Sequence, residues 1–149
     1  MTKEEICEQL NETGKTSMFT LAAFRKFWKS PSKERDLLPN PLEPFTDKSA
    51  VYLVYYAVTG KGYVGLAKGR LNHRIWKHQN LLVSETEDAK QMNKMRNDLR
   101  LNPGTEDQVY FFVLETIPDH IQGDDLTNTL RQKEVDWQSK LMTIAEGYN

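Results

Sequence analysis

The stretch AVYLVYYAV at residues 50–58 does most to limit what this chain can become. Val and Tyr favour the pleated, packed surface of a strand over a helix. Thr59-Gly60-Lys61-Gly62 follow as a turn, and Tyr63-Val64-Gly65-Leu66-Ala67 provide a partner strand. Two such runs across a short glycine-bearing turn predict an antiparallel hairpin. Downstream, Leu71, Ile75, Gln79 and Leu82 recur at helical spacing. Residues 87–101 read as a second helix, ended by Asn102-Pro103-Gly104, and VYFFVLETI at 109–117 as a third strand. Residues 125–142 form a last helix carrying Leu126, Leu130, Trp137 and Leu141. The order strand, strand, helix, helix, strand, helix predicts a small α+β domain, an antiparallel sheet of about three strands flanked by helices.

The chain before the hairpin has another character. Residues 3–13 predict a short helix, with Ile6 and Leu10 four apart and Gly14 as a stop. Residues 17–29 predict a stronger one, striped by Met18, Leu21, Phe24 and Trp28, with Thr16 or Ser17 as cap. Pro31, Pro39, Pro41 and Pro44 then crowd into one stretch, which reads as an extended connector because proline restricts itself and its predecessor. The expected organisation is a helical N-terminal segment at 1–30, a connector at 31–48 and a domain at 49–149. Phe19, Phe24, Phe27 and Trp28 are too much apolar surface for one short helix to leave in water. The segment is therefore expected to dock on residues 50–149 or on a protein partner.

Composition narrows the function classes. A chain of 149 residues with 38% hydrophobic and 28% charged residues is expected to be one soluble globular unit. No apolar run reaches the length of a membrane span, and MTKEEICEQL lacks the apolar core of a signal peptide, so no membrane association and a cytoplasmic setting are expected. Cys7 is the single cysteine, which excludes a disulfide framework or a cysteine-based zinc site within one chain. The net charge of -1 conceals an asymmetry: residues 49–103 hold nine Lys/Arg against four Asp/Glu, and residues 104–149 hold three against nine. A basic middle beside an acidic end suits a protein that turns one positive face to a polyanion.

Several chemistry-bearing residues stand at telling intervals. Tyr52 and Tyr63 lie eleven apart across the hairpin, so a suitable register puts both on one face. Arg74 and His78 are at i and i+4 on the first helix of the domain. An arginine fork suits a phosphate, and a histidine or tyrosine can relay a proton from an attacking water. Arg70 is expected beside Arg74, and Lys77, Lys90 and Lys94 are further candidates for contact with a nucleic-acid backbone. Alone, each has an ordinary alternative: sheet surface for Tyr52, a turn for Gly65, a solvated helix face for Arg74, His78 and Glu134, a frayed end for Asn149.

Taken in order, the set resembles the GIY-YIG nuclease family over essentially all of residues 50–149. Ala50-Val51-Tyr52 stands where the family has its first triplet, with alanine in place of glycine, and Tyr63-Val64-Gly65 stands for the second. Arg74 and His78 follow, Glu134 sits in a late helix, and Gly147-Tyr148-Asn149 closes the pattern. The closest likeness is to the nuclease domains of phage intron-encoded homing endonucleases, which continue into a DNA-binding extension where this likeness ends. The resemblance implies the GIY-YIG fold and a bacterial or phage-encoded intracellular enzyme that hydrolyses phosphodiester bonds of double-stranded DNA. It implies Tyr52, Tyr63, Arg74, His78, Glu134 and Asn149 as catalytic residues. It also implies Mg2+ held by Glu134, with Mn2+ able to substitute. The alternative is a catalytically silent DNA-binding or protein-interaction module that keeps the nuclease fold.

Overall fold

The computed structural model describes residues 2–11, 17–29, 45, 47–83 and 92–149. Its strands are β1 (Ser17–Thr20), β2 (Ala50–Tyr56), β3 (Lys61–Ala67) and β4 (Val109–Thr116). Its α-helices are α1 (Lys3–Asn11), α2 (Leu21–Lys29), α3 (Leu71–Val83), α4 (Asn93–Leu101), α5 (Gly123–Leu141) and α6 (Thr143–Glu146), with a 3-10 turn at Glu106–Gln108 before β4. The strands form one antiparallel sheet in the order β1-β4-β2-β3, so the fold is α+β. Among the described residues no helix is long and apolar enough to cross a membrane.

The sheet has four strands rather than about three, and the additional one comes from the segment read as helix. Ser17–Thr20 pairs with β4 along Ser17↔Val113 to Thr20↔Tyr110. The helix begins only at Leu21, where the Ala23 amide donates to Thr20 Oγ1 at 3.1 Å. Thr20, not Thr16 or Ser17, is thus the cap, since its hydroxyl satisfies an amide that has no partner inside the helix. The spacing of Met18, Leu21 and Phe24 fits a helix, but it fits equally a short strand running into one. The exposed edge of β4 decides between them by offering a ladder to whatever extended chain lies alongside.

Both faces of the sheet are covered, which explains why β2 is apolar without alternation. Tyr52, Val54 and Tyr56 point into one core with Phe19, Phe24, Phe111, Leu71, Ile75 and Met95, under α2, α3 and α4. Val51, Leu53 and Tyr55 point into the other with Ile6, Val64, Phe112, Leu130 and Trp137, under α1 and α5. A bulge against β4 interrupts the register between Val51 and Tyr52. The α4 helix is described from Asn93, with Met92 and Met95 buried; the earlier part of the helix expected over 87–101 lies outside the described residues, as do Lys90 and most of the proline-rich connector.

Burial of the N-terminal aromatics rests on specific rings. Phe19 stacks on Phe111 at 5.3 Å between centroids and on Phe24 at 5.8 Å, and Phe24 is fully buried. The Trp28 side chain lies outside the described set. Phe24→Ala should therefore cost about 3–5 kcal/mol of unfolding free energy, the usual range for removing a buried aromatic. Urea denaturation of the full chain measures it, and a loss below about 1 kcal/mol would mean that the N-terminal segment is not part of the core.

Candidate active site at the β3 edge

The hairpin register fixes the two tyrosines. Tyr52 pairs with Gly65 and Tyr63 with Val54, which places both side chains on the face beneath α3. Gly65 is needed there: a Cβ at this position would sit 2.6 Å from the Tyr52 hydroxyl and 2.9 Å from Tyr63 Cε1. The Tyr52 ring lies over the space that any other residue would fill. The expectation that one face carries both tyrosines is met, and the glycine of the second triplet acquires a steric reason.

Tyr52 is wholly buried, and its hydroxyl hydrogen-bonds His78 Nε2 and accepts from Arg74 Nε at 3.3 Å. Arg74 and His78, one helical turn apart on α3, thus meet the sheet through one phenol. Burial, with Tyr63 nearby, pushes the Tyr52 hydroxyl well above the usual phenol range, so it stays protonated. His78 is only 4% exposed, and burial and the Arg74 charge push its pKa down to about 4. It is a neutral hydrogen-bonding group at neutral pH.

This depression has a measurable consequence. The unfolded chain takes up the His78 proton as pH falls below about 6.5, whereas the folded chain resists until about 4. Stability from the neutral imidazole is therefore complete above 6.5 and drains away between 6.5 and 4. His78→Gln keeps a hydrogen-bonding side chain but cannot titrate. It should flatten the pH dependence of unfolding free energy in that window by up to about 1.4 kcal/mol per pH unit. Denaturation at several pH values gives the slope, and an unchanged slope would show that His78 is not held neutral.

Tyr63 faces a different space. With Val64, Lys94, Glu134, Gln138, Tyr148 and Asn149 it lines an open cavity of about 350 Å3 at the outer edge of β3. Burial raises the Tyr63 hydroxyl above its ordinary value, with Arg74 working against this by charge and hydrogen bonding. Burial likewise raises the Glu134 carboxyl, and Arg74 and Arg131 pull it back down. Arg74 is the hinge of the arrangement: it touches Tyr52, influences both Tyr63 and Glu134, and also lines an adjoining groove.

The closing Gly147-Tyr148-Asn149 segment seals the free edge of β3. Asn149 Oδ1 accepts from the Val64 amide at 2.7 Å and its Nδ2 donates to the Val64 carbonyl at 2.9 Å, while the Tyr148 amide donates to the Gly62 carbonyl at 2.8 Å. One side-chain amide thus satisfies both polar groups of an edge residue that would otherwise be open. A Cβ on Gly147 would lie 2.6 Å from the Gly62 and Thr143 carbonyl oxygens, so only glycine lets the segment approach. Tyr148 anchors it by donating to Asp98 Oδ2 at 2.7 Å, with Thr59 Oγ1 also 2.7 Å away. Asn149 is a positioning residue for β3 and the Tyr63 it carries.

No family model, curated protein or solved structure matches this chain.

The remaining candidates divide between two places. Lys94 joins the Glu134 cavity, whereas Arg70 and Lys77 line the groove with Lys68, His73 and Arg74. Spacing puts Arg70 on one helix face with Arg74, but Arg70 instead precedes α3 with a φ of 52°; its carbonyl accepts from the Arg74 amide at 3.3 Å, and both residues line the groove. Gln138 escaped the sequence reading although it lies one turn beyond Glu134, a spacing that places both on one helix face. The roles of Tyr148, Asp98 and Thr59 carried no local signal, since they meet only through the fold.

Among the described residues no three His, Cys, Asp or Glu side chains gather as a ligand cluster. The cavity offers the Glu134 carboxylate with neutral amide and hydroxyl oxygens from Gln138 and Tyr63. That donor set fits Mg2+, which keeps several of its waters and takes few protein ligands, and the cavity has room for a hydrated ion.

Proposed function

We propose that this protein is a Mg2+-dependent DNA endonuclease of the GIY-YIG type, with its active site in the cavity at the β3 edge. The observation that carries the reading is the convergence of Tyr63, Glu134 and Asn149 on one cavity with Arg74 at its border. These residues come from a strand, a helix, a C-terminal segment and a second helix, and all four belong to the ordered sequence pattern of residues 50–149. The order of elements from β2 to α5 also suits the GIY-YIG fold.

Each side chain has a distinct task. Arg74 binds the scissile phosphate, its guanidinium oriented by the Tyr52 hydroxyl. Neutral His78 holds that hydroxyl in place from beneath. Tyr63, protonated at neutral pH, orients the attacking water and takes its proton only while releasing its own toward solvent. Water oxygen bonds to phosphorus, the bond to the 3′ oxygen breaks, that oxygen takes up a proton from solvent, and the ends are a 5′ phosphate and a 3′ hydroxyl. Glu134 would hold Mg2+, which supplies Lewis-acid stabilisation of the phosphoryl and departing oxygens. Lys94 adds positive charge at the cavity rim, and the groove of Arg70 and Lys77 follows the DNA backbone.

Supercoiled plasmid incubated with the full chain should be nicked or linearised with Mg2+ or Mn2+ and left intact in EDTA. DNA that is bound but never cut under either metal would instead support a silent binding module. A chain that neither binds nor cuts DNA would leave protein interaction as the use of the fold.

A further inference from the structure

The surface beside the cavity is chemically one-sided. No Asp or Glu occurs between Asp47 and Glu85, a stretch holding Lys48, Lys61, Lys68, Arg70, Arg74 and Lys77. At ~100° per residue, Trp76, His73, Lys77 and Arg74 occupy one arc of α3, with Trp76 at one margin and Arg74 at the other. The opposite arc carries Leu71, Ile75, His78 and Leu82, all buried. His73, Arg74 and Lys77 line a groove of about 360 Å3 next to the cavity. Trp76 is 42% exposed and stacks on His73, with 6.2 Å between ring centroids and 15° between planes.

The Trp76 indole thus stands nearly half in water, on the same helix as the cations of the groove. We infer that the His73–Trp76 pair is a stacking platform for an unpaired base of a DNA strand whose backbone lies along the basic groove. The preferred substrate is then DNA with a base out of the helical stack, rather than a perfect duplex. Aromatic rings bordering a positive groove bind single-stranded nucleic acid by stacking, and bases inside a duplex keep both faces occupied. This rests on the nuclease reading of the neighbouring cavity and specifies the substrate class that cavity would meet.

The test is binding of the full chain in EDTA to two short labelled DNAs, a perfect duplex and the same duplex with one extrahelical nucleotide, followed by fluorescence anisotropy. The bulged DNA should bind roughly five- to a hundredfold more tightly, the range that alanine substitution reveals for base-stacking aromatics. Trp76→Ala, with an unchanged circular dichroism spectrum, should erase the preference, and Trp76→Phe should retain most of it. Equal binding of both DNAs by the wild type, or a preference that survives Trp76→Ala, overturns the inference. A protein that shows the preference but no metal-dependent nicking overturns only the nuclease reading. One that nicks plasmid without the preference overturns only the stacking platform.

Discussion

Glu134→Gln should leave a folded protein that still binds DNA and cleaves it at least ~10²-fold more slowly, the lower end of what a key electrostatic group contributes. The substitution keeps the shape of the side chain and removes its charge. Among the described residues Glu134 is the one acidic side chain that lines the cavity. It is half-buried on the solvent side of α5, so the amide should cost little stability. Plasmid nicking and DNA binding measured side by side check both parts. Near-normal Mg2+-dependent nicking by Glu134→Gln would sink the metal assignment, while lost DNA binding would mean that Glu134 shapes the surface rather than the chemistry.

Tyr63→Phe and Tyr52→Phe should fail in different ways, although each deletes one oxygen. Tyr63 opens on the cavity, so removing its hydroxyl should lower turnover by ~10²- to 10⁴-fold, as for other groups acting in proton transfer, with little change in stability. The Tyr52 hydroxyl is buried between His78 and Arg74. Its loss strands a buried imidazole nitrogen, which should cost about 1–3 kcal/mol of stability besides loosening Arg74. Single-turnover cleavage and thermal unfolding of the two variants distinguish these outcomes. If Tyr63→Phe cuts at the wild-type rate, the water is not handled from the β3 edge, and the role given to the two tyrosines must be exchanged or abandoned.

Legibility in the sequence followed the range of the interaction. The β2–β3 hairpin, the stripe of Leu71, Ile75, Gln79 and Leu82, and the long last helix were readable because each depends on neighbours within one turn or one strand. The candidate residues were readable by spacing, but not their division of labour. Tyr52 and Tyr63 look equivalent as strand tyrosines, yet one is sealed under α3 and the other borders the cavity. Strand β1 was illegible for the same reason: four residues of SMFT carry no period long enough to decide, and pairing with β4 decides for them.

By itself, then, the sequence determined an α+β chain with a Tyr/Val hairpin at its centre, a basic stretch free of acidic residues, and Tyr, Arg, His, Glu and Asn side chains at ordered spacings. Those properties reside in local patterning and charge. Only the tertiary structure decided that the N-terminal segment belongs to the sheet, that Gly65 makes room for the Tyr52 ring, and that Asn149 works by closing the β3 edge. Each joins residues far apart in the chain, through sterics or hydrogen bonds whose partners no window of sequence contains. The Asn149 amide and the Val64 backbone are 85 residues apart, and folding alone brings the one within reach of the other.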